Sequence, residues 1–214
     1  LQLFDGTYWS PAITMFESTH LEEMDFAPDR YQGVHVMLRG YQRIDHVHIN
    51  RDQVLATAMA EGNHRNSIDI DPMNRLHMSY ITFGDAETRV RYTSFMGPEI
   101  DLTNPFTLGD APAAPDCRES ETCMKVDPFF NAHVEWTRYC RFDDEDSKDI
   151  YHQGLSFRGP TPFTVFNVNC WDFFEDAVVD LNGNYHLFFK ATDDTYVDDY
   201  YHVICQRDTP AARL

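Results

Sequence analysis

The sequence predicts an all-β protein, a four-bladed β-propeller forming a single domain over residues 1–214. Three observations predict it: a repeat that recurs four times, a run of short alternating segments where helical periodicity is scarce, and an acidic composition dominated by Asp. Of the 35 acidic residues, 24 are Asp and 11 are Glu, and Asp favours turns where Glu favours helices. The segments Val34–Leu38, Leu76–Phe83, His133–Tyr139 and Tyr185–Phe189 read as strands between turn-forming residues. Asp52–Glu61 alone tolerates a helical reading, and it reads equally well as a strand.

Each repeat places a His six residues after an Asp. The four copies are Asp29-RYQGV-His35, Asp71-PMNRL-His77, Asp127-PFFNA-His133 and Asp180-LNGNY-His186. Every copy continues into an apolar stretch (VMLRGY, MSYITF, VEWTRY, LFFKAT), a polar turn, and a further strand-like stretch. Asp146 and His152 share the spacing but fall out of phase, so the shared sequel, not the spacing alone, defines the repeat. Repeats of this length holding several short strands are what propeller blades look like, because one small twisted sheet cannot bury both faces alone. The repeats run over about 21–62, 63–110, 122–170 and 171–208. Within each, an inner strand ends at the Asp, a tight turn follows, and the second strand begins near the His. Asn182-Gly183 is a strong hairpin signal in the last copy. The N-terminal segment Gly6–Phe16 is expected to complete the last blade and close the ring, which removes an exposed sheet edge.

These residues resemble two families of propeller repeat. Asp180-LNGNYHLFF resembles the Asp-box or sialidase-like kind, in which D-x-x-G-x-x-H precedes aromatic alternation; Asp71-PMNRLHMSY lacks the Gly, and Asp127-PFFNAHVEW departs further. Glu175-DAVVD with Tyr185-HLFFK, and Gly33-VHVMLRGYQRID, resemble hemopexin-like blades. The resemblance implies a propeller shape and leaves the function open.

Function is read from the repeated polar residues. If the repeats form a ring, His35, His77, His133 and His186 can converge on its axis as ligands for a divalent transition metal. Asp29, Asp71, Asp127 and Asp180 would then orient the rings or contact the ligand. The competing reading makes each Asp–His pair a staple for its own turn. His48, Tyr92, His152 and His202, late in the third strands, are the candidate acid–base residues. Trp136 and Tyr139 are candidate ligand-stacking rings, while Trp9 and Trp171 fit packing roles. Arg39, Arg138 and Lys190 follow the repeat His by four or five residues, positioned for ion pairs or solvent. The acidic stretches at Asp143 and Asp193 offer calcium a weaker alternative.

The expected function is therefore a small-ligand-binding, lectin-like propeller taking a carbohydrate, a metal or another small molecule. The alternative is a metal-dependent or acid–base enzyme, such as a lyase or cyclase, with its site at the propeller mouth. A net charge of -18 argues against nucleic-acid and anionic-membrane partners, which need clustered Lys and Arg. Five cysteines lean toward an extracellular, secreted setting. Cys117 and Cys123 flank a short polar stretch and are expected to pair, leaving Cys140, Cys170 and Cys205 for one further bridge and a spare thiol.

Overall fold

The computed structural model describes residues 7–8, 22–40, 43–50, 53–61, 66–83, 88–96, 105–108, 117–142, 145–156, 159–160, 164–166, 171–192 and 198–205. Among these there is no helix; the described residues form sixteen strands in four antiparallel meanders. The first meander comprises β1 (Glu23–Pro28), β2 (Gly33–Gly40), β3 (Arg43–Asn50) and β4 (Gln53–Glu61), paired in that order. The ambiguous segment Asp52–Glu61 is thus a strand from Gln53. The second meander is β5 (Ser67–Ile70), β6 (Leu76–Phe83), β7 (Thr88–Phe95) and β8 (Phe106–Leu108). The third is β9 (Cys117–Val126), β10 (Ala132–Phe142) and β11 (Glu145–Ser156), with the short strands β12 (Gly159–Pro160) and β13 (Thr164–Phe166) on β11. The fourth is β14 (Trp171–Val179), β15 (Tyr185–Thr192) and β16 (Asp198–Cys205). One parallel pair, Lys148 with Trp171, joins the third and fourth meanders into a single eight-stranded sheet.

Period-two alternation makes these segments strands and sets which face is covered. In β15, Tyr185, Leu187, Phe189 and Ala191 are buried, while His186, Phe188 and Lys190 face the other way. Consecutive meanders then pack face to face. Ala27, Met37 and Ile44 of the first meet Ile68, Leu76, Met78, Tyr80 and Phe95 of the second. Ile81, Val90 and Leu108 of the second meet Met124, Ala132, Val134, Trp136 and Leu155 of the third. Cys123 and Ile150 of the third meet Ala177, Tyr185, Leu187 and Phe189 of the fourth. Each meander alone would expose an apolar face; stacked, each pair of neighbours closes its own core cluster at the seam.

Polar joints fix the order of the inner strands. Asp25 on β1 accepts hydrogen bonds from Ile68 N–H and Ser67 Oγ–H on β5, both at 3.0 Å. Asp69 on β5 accepts from Val126 N–H on β9 at 2.7 Å. These carboxylates answer backbone donors that would otherwise be buried without partners. All-β meanders packed in chain order with their first strands adjacent make a propeller-like fold. Of the expected closing strand Gly6–Phe16, only Thr7 and Tyr8 are among the described residues, so that expectation lies outside them, as do Trp9, Cys170 and the acidic stretches at 143–144 and 193–197.

The cysteine pairing differs from the sequence expectation. Cys117 bonds Cys140, not Cys123. The stretch read as a polar loop is strand: Cys117 and Cys123 both lie on β9, and six extended residues hold them roughly 20 Å apart. The antiparallel register instead sets Cys117 directly opposite Cys140 on β10, with Cα atoms 4.0 Å apart. Cys123 lies buried in the core. Non-reducing peptide mapping should recover a Cys117–Cys140 peptide and no Cys117–Cys123 link. Cutting this 23-residue loop with reductant should cost about 3 kcal/mol of unfolding free energy.

Candidate functional site

The four Asp turns share one backbone. In each, the Asp N–H bonds the carbonyl four residues on: Asp29 to Gly33, Asp71 to Arg75, Asp127 to Asn131 and Asp180 to Asn184. The residue three after each Asp is left-handed, with φ of 67° at Gln32, 66° at Asn74, 71° at Phe130 and 80° at Gly183. Only the fourth copy uses Gly for it, the residue that adopts this conformation without steric cost. A Cβ on Gly183 would also come within 2.9 Å of the Phe129 ring.

The Asp side chain holds this geometry. Its Oδ1 accepts two backbone N–H groups, those of Tyr31 and Gly33 for Asp29, Met73 and Arg75 for Asp71, Phe129 and Asn131 for Asp127, and Asn182 and Asn184 for Asp180, all at 2.7–2.8 Å. In three copies the residue four after the Asp also donates to Oδ2: Arg75 Nε at 2.7 Å, Asn131 Nδ2 at 2.6 Å and Asn184 Nδ2 at 2.8 Å. Burial alone would raise the Asp127 pKa, but His133, Asn131 and Phe129 outweigh it and hold the carboxyl down at about 2. Asp180 sits at about 2 as well, held chiefly by Asn184. Asp29 and Asp71 shift in the same direction, again with burial opposed by the turn's hydrogen bonds.

Each repeat His stands beside its own Asp. Nε2 to Oδ2 is 3.8 Å for His35, 3.4 Å for His77, 3.6 Å for His133 and 3.5 Å for His186. These distances suit electrostatic attraction and are long for hydrogen bonds. The other ring nitrogen, Nδ1, meets a partner on the next strand: His46 Nε2 at 3.0 Å, Tyr92 Oη at 2.7 Å, His152 Nε2 at 3.3 Å and His202 Nε2 at 3.0 Å. Burial lowers the pKa to about 4 for His35 and His77 and to about 3 for His46 and His152, which keeps these four rings neutral.

The strand register identifies the equivalent partner set. Tyr92, His152 and His202 sit opposite the residue two after the repeat His, namely Ser79, Glu135 and Phe188. In the first meander that position is His46, opposite Met37. His48, grouped with the other three from the sequence, is opposite His35 itself. Hairpin lengths differ between repeats, so spacing along the chain could not align them; register could.

The first meander departs from the others in a second way. Position four after its Asp is Gly33, which brings no side chain, and His48 Nε2 reaches Asp29 Oδ2 at 3.1 Å instead. Among the described residues, Asp29, His35 and His48 are the one group of three possible metal donors brought together, and the four repeat histidines do not form such a group.

Glu135 and Tyr185 escaped sequence reasoning. The Tyr185 hydroxyl donates to Glu135 Oε2, and His152 Nε2 lies 3.8 Å from Oε1. Burial, only partly offset by Tyr185, raises the Glu135 pKa well above the usual carboxylate range. Trp136 is 2% exposed and stacked on Tyr151, so its ring packs the core and is not offered to a ligand. Tyr139 is half-buried beneath the Arg118 guanidinium, 5.5 Å away. Arg39 pairs with Glu22 and Glu23, Arg138 with Glu119, and Lys190 with Asp198.

Neighbouring turns are linked to one another. Arg30 N–H donates to Asn74 Oδ1 at 2.9 Å, tying the first tip to the second. Asp69 ties the second inner strand to the end of the third, and Gly183 lies against Phe129. Across this row the tips expose Tyr31, Met73, Phe129, Phe130 and Leu181.

No family model matches the chain, and no curated protein matches it in sequence. Among solved structures it is similar to a mannose phosphorylase from Leishmania mexicana, in complex with phosphate ion, with a TM-score of 0.54 and 9% identity over 87% of this chain and 68% of that one. A neuraminidase-like protein (flat-faced bat, Peru) gives a TM-score of 0.49 at 10% identity over 85% of this chain, which spans 52% of that protein's length. A fucose lectin from Kordia zhangzhouensis, in complex with methyl-fucoside, gives 0.40 at 9% identity over 67% of this chain and 97% of the lectin. At these identities the likeness to the phosphorylase is one of fold, and it agrees with the propeller-like arrangement of the meanders.

Two outcomes follow from the turns. Asp127→Ala leaves two part-buried backbone donors and the Asn131 amide without their acceptor, so it should cost about 1–3 kcal/mol in denaturant unfolding. His77 has a folded pKa of about 4, below its unfolded value of 6.5, so the unfolded chain takes up its proton first and this contribution to stability is lost as pH falls through that window. Glu119, raised to about 7 by burial, acts with the opposite sign, so a single pH–stability curve does not isolate the histidine. The stability difference between wild type and His77→Gln does: it should be constant above about pH 6.5 and shrink below it by about 1.4 kcal/mol per pH unit.

Proposed function

We propose that the protein is a carbohydrate-binding propeller that receives its ligand on the face made by the four Asp turns. The observation that carries this reading is the row of turn tips, each locked by an Asp carboxylate, that together expose Tyr31, Met73, Phe129, Phe130 and Leu181. Rigid aromatic rings bind a neutral ligand at small conformational cost, and a sugar's apolar C–H face stacks on them. Contiguous exposed apolar groups of this kind mark binding surfaces on soluble proteins. The name of a fold neighbour, a mannose phosphorylase, agrees with a carbohydrate ligand.

The same reading takes the ring as four-bladed and closed, with Gly6–Phe16 completing the fourth blade. In the first three meanders the His-bearing face packs on the next meander. In the fourth, that face exposes Val178, Phe188 and Ile204, apolar surface suited to meeting the first blade.

An acid–base enzyme is the second reading, and the group favouring it is His152, Glu135 and Tyr185, whose environments drive their proton affinities apart. All three are buried, with Tyr185 at 0% exposure, so a ligand cannot touch them without the meanders parting, and binding is the better-supported function.

A glycan array probed with the purified protein should return a defined set of sugars. Tyr31→Ala combined with Phe129→Ala should weaken the strongest of them at least tenfold while leaving the melting temperature within a few degrees. An array without hits, or a double variant binding as wild type, overturns this assignment.

A further inference from the structure

Asp29, His35 and His48 differ from the other three Asp–His pairs at two positions at once. Four residues after the Asp, Arg75, Asn131 and Asn184 close Oδ2 in the other copies, whereas Gly33 leaves it open. Opposite the repeat His, the other copies carry Ser94, Gly154 and Ile204, whereas the first carries His48. The two changes are spatially one: a Cβ on Gly33 would lie 2.5 Å from Asp29 Oδ2 and 2.7 Å from His48 Nε2, so the ring can reach the carboxylate only because that side chain is missing.

We propose that Asp29, His35 and His48 bind a divalent transition-metal ion of the zinc, cobalt or nickel kind. The donor atoms are Asp29 Oδ2, His35 Nε2 and His48 Nε2, all within 4.8 Å of one another, with the two histidines 3.8 and 3.1 Å from the carboxylate oxygen. Ligands held about 2.0–2.2 Å from one ion stand roughly 3–3.5 Å apart, so the three donors are within a small ring movement of a coordination set. Two imidazoles and one carboxylate suit borderline ions, and three protein ligands leave a position for water or a ligand group.

The surroundings prepare the donors. Tyr31 and Gly33 N–H groups occupy Asp29 Oδ1, which leaves Oδ2 as the oxygen facing the rings. His35 Nδ1 meets buried His46 Nε2 at 3.0 Å. With the proton on Nδ1 donated to His46, the lone pair on His35 Nε2 is free for the ion, the outer hydrogen bond that fixes a ligating imidazole's tautomer. The rings of His35 and His48 stack at 4.2 Å, presenting both Nε2 atoms on the Asp29 side. Metal binding does not depend on the carbohydrate reading, and its test reads the ion alone.

The full chain, stripped with a chelator, is titrated with Co2+ followed by visible d–d absorption and with Zn2+ followed by calorimetry. The expected result is one equivalent bound. His48→Ser, which installs the residue of the second copy, should weaken that binding at least tenfold. Gly33→Asn with His48→Ser rebuilds the third and fourth turns' chemistry at this position and should abolish it while keeping the melting temperature of the stripped wild type. His186→Ala, at the exposed His186–His202 pair, should leave it unchanged. Failure to bind one equivalent, equal affinity in His48→Ser, or loss in His186→Ala instead, overturns the site.

Discussion

One carboxylate does the same work four times. Each Asp at the end of an inner strand gathers two backbone N–H groups on one oxygen, and so shapes a turn that needs a left-handed residue three positions on. Gln32, Asn74 and Phe130 accept that conformation at a cost that Gly183 avoids. The charged acceptor offsets this cost, because its hydrogen bonds are stronger than neutral ones. Once the turn is fixed, the second strand starts in one register only, and the His six residues on arrives beside the same carboxylate. The position of every later residue in a meander follows from that start.

The His also lies on the face that packs against the following meander. In β2, β6 and β10 it shares a face with Met37, Ile81 and Glu135, which reach the second, third and fourth meanders respectively. A polar ring in such a place needs partners on both nitrogens or a neutral form; it has the carboxylate on one side and a second ring on the other, and for His35 and His77 burial also lowers the pKa. The Asp–His pair therefore belongs to two structures at once, the turn within a meander and the seam between meanders. In the fourth copy, where no described residue covers that face, His186 is more exposed than its counterparts.

Much of this was legible in the sequence. The in-phase Asp and His marked the strand ends, because the turn's chemistry is local and spans only a few residues. What failed to show were features set by register across a hairpin. His46 and His48 lie two residues apart on β3 and look interchangeable in a list of residues, yet one meets Nδ1 of His35 and the other meets Asp29. Cys117 and Cys123 looked like a loop pair because a polar stretch was read as a turn, when Arg118, Glu119 and Ser120 alternate along a strand edge. Glu135 and Tyr185 are 50 residues apart and give no local signal; a Glu between Val134 and Trp136 was the only hint. The Gly33 gap was visible as a residue and invisible as a gap, since its meaning depends on what Arg75, Asn131 and Asn184 do elsewhere.

The seams carry a consequence for how the chain is made. Each apolar cluster between meanders, and each joint made by Asp25, Asp69 or Glu135, connects a repeat to the one that follows it in sequence. During synthesis the first meander can thus offer a finished template to the second before the third has left the ribosome, and so on along the chain. Assembly of this sort runs in one direction, with every intermediate showing an uncovered apolar face at its growing end. Once the fourth meander is in place, the face at that end is the one bearing Val178, Phe188 and Ile204, and it stays exposed until something packs on it.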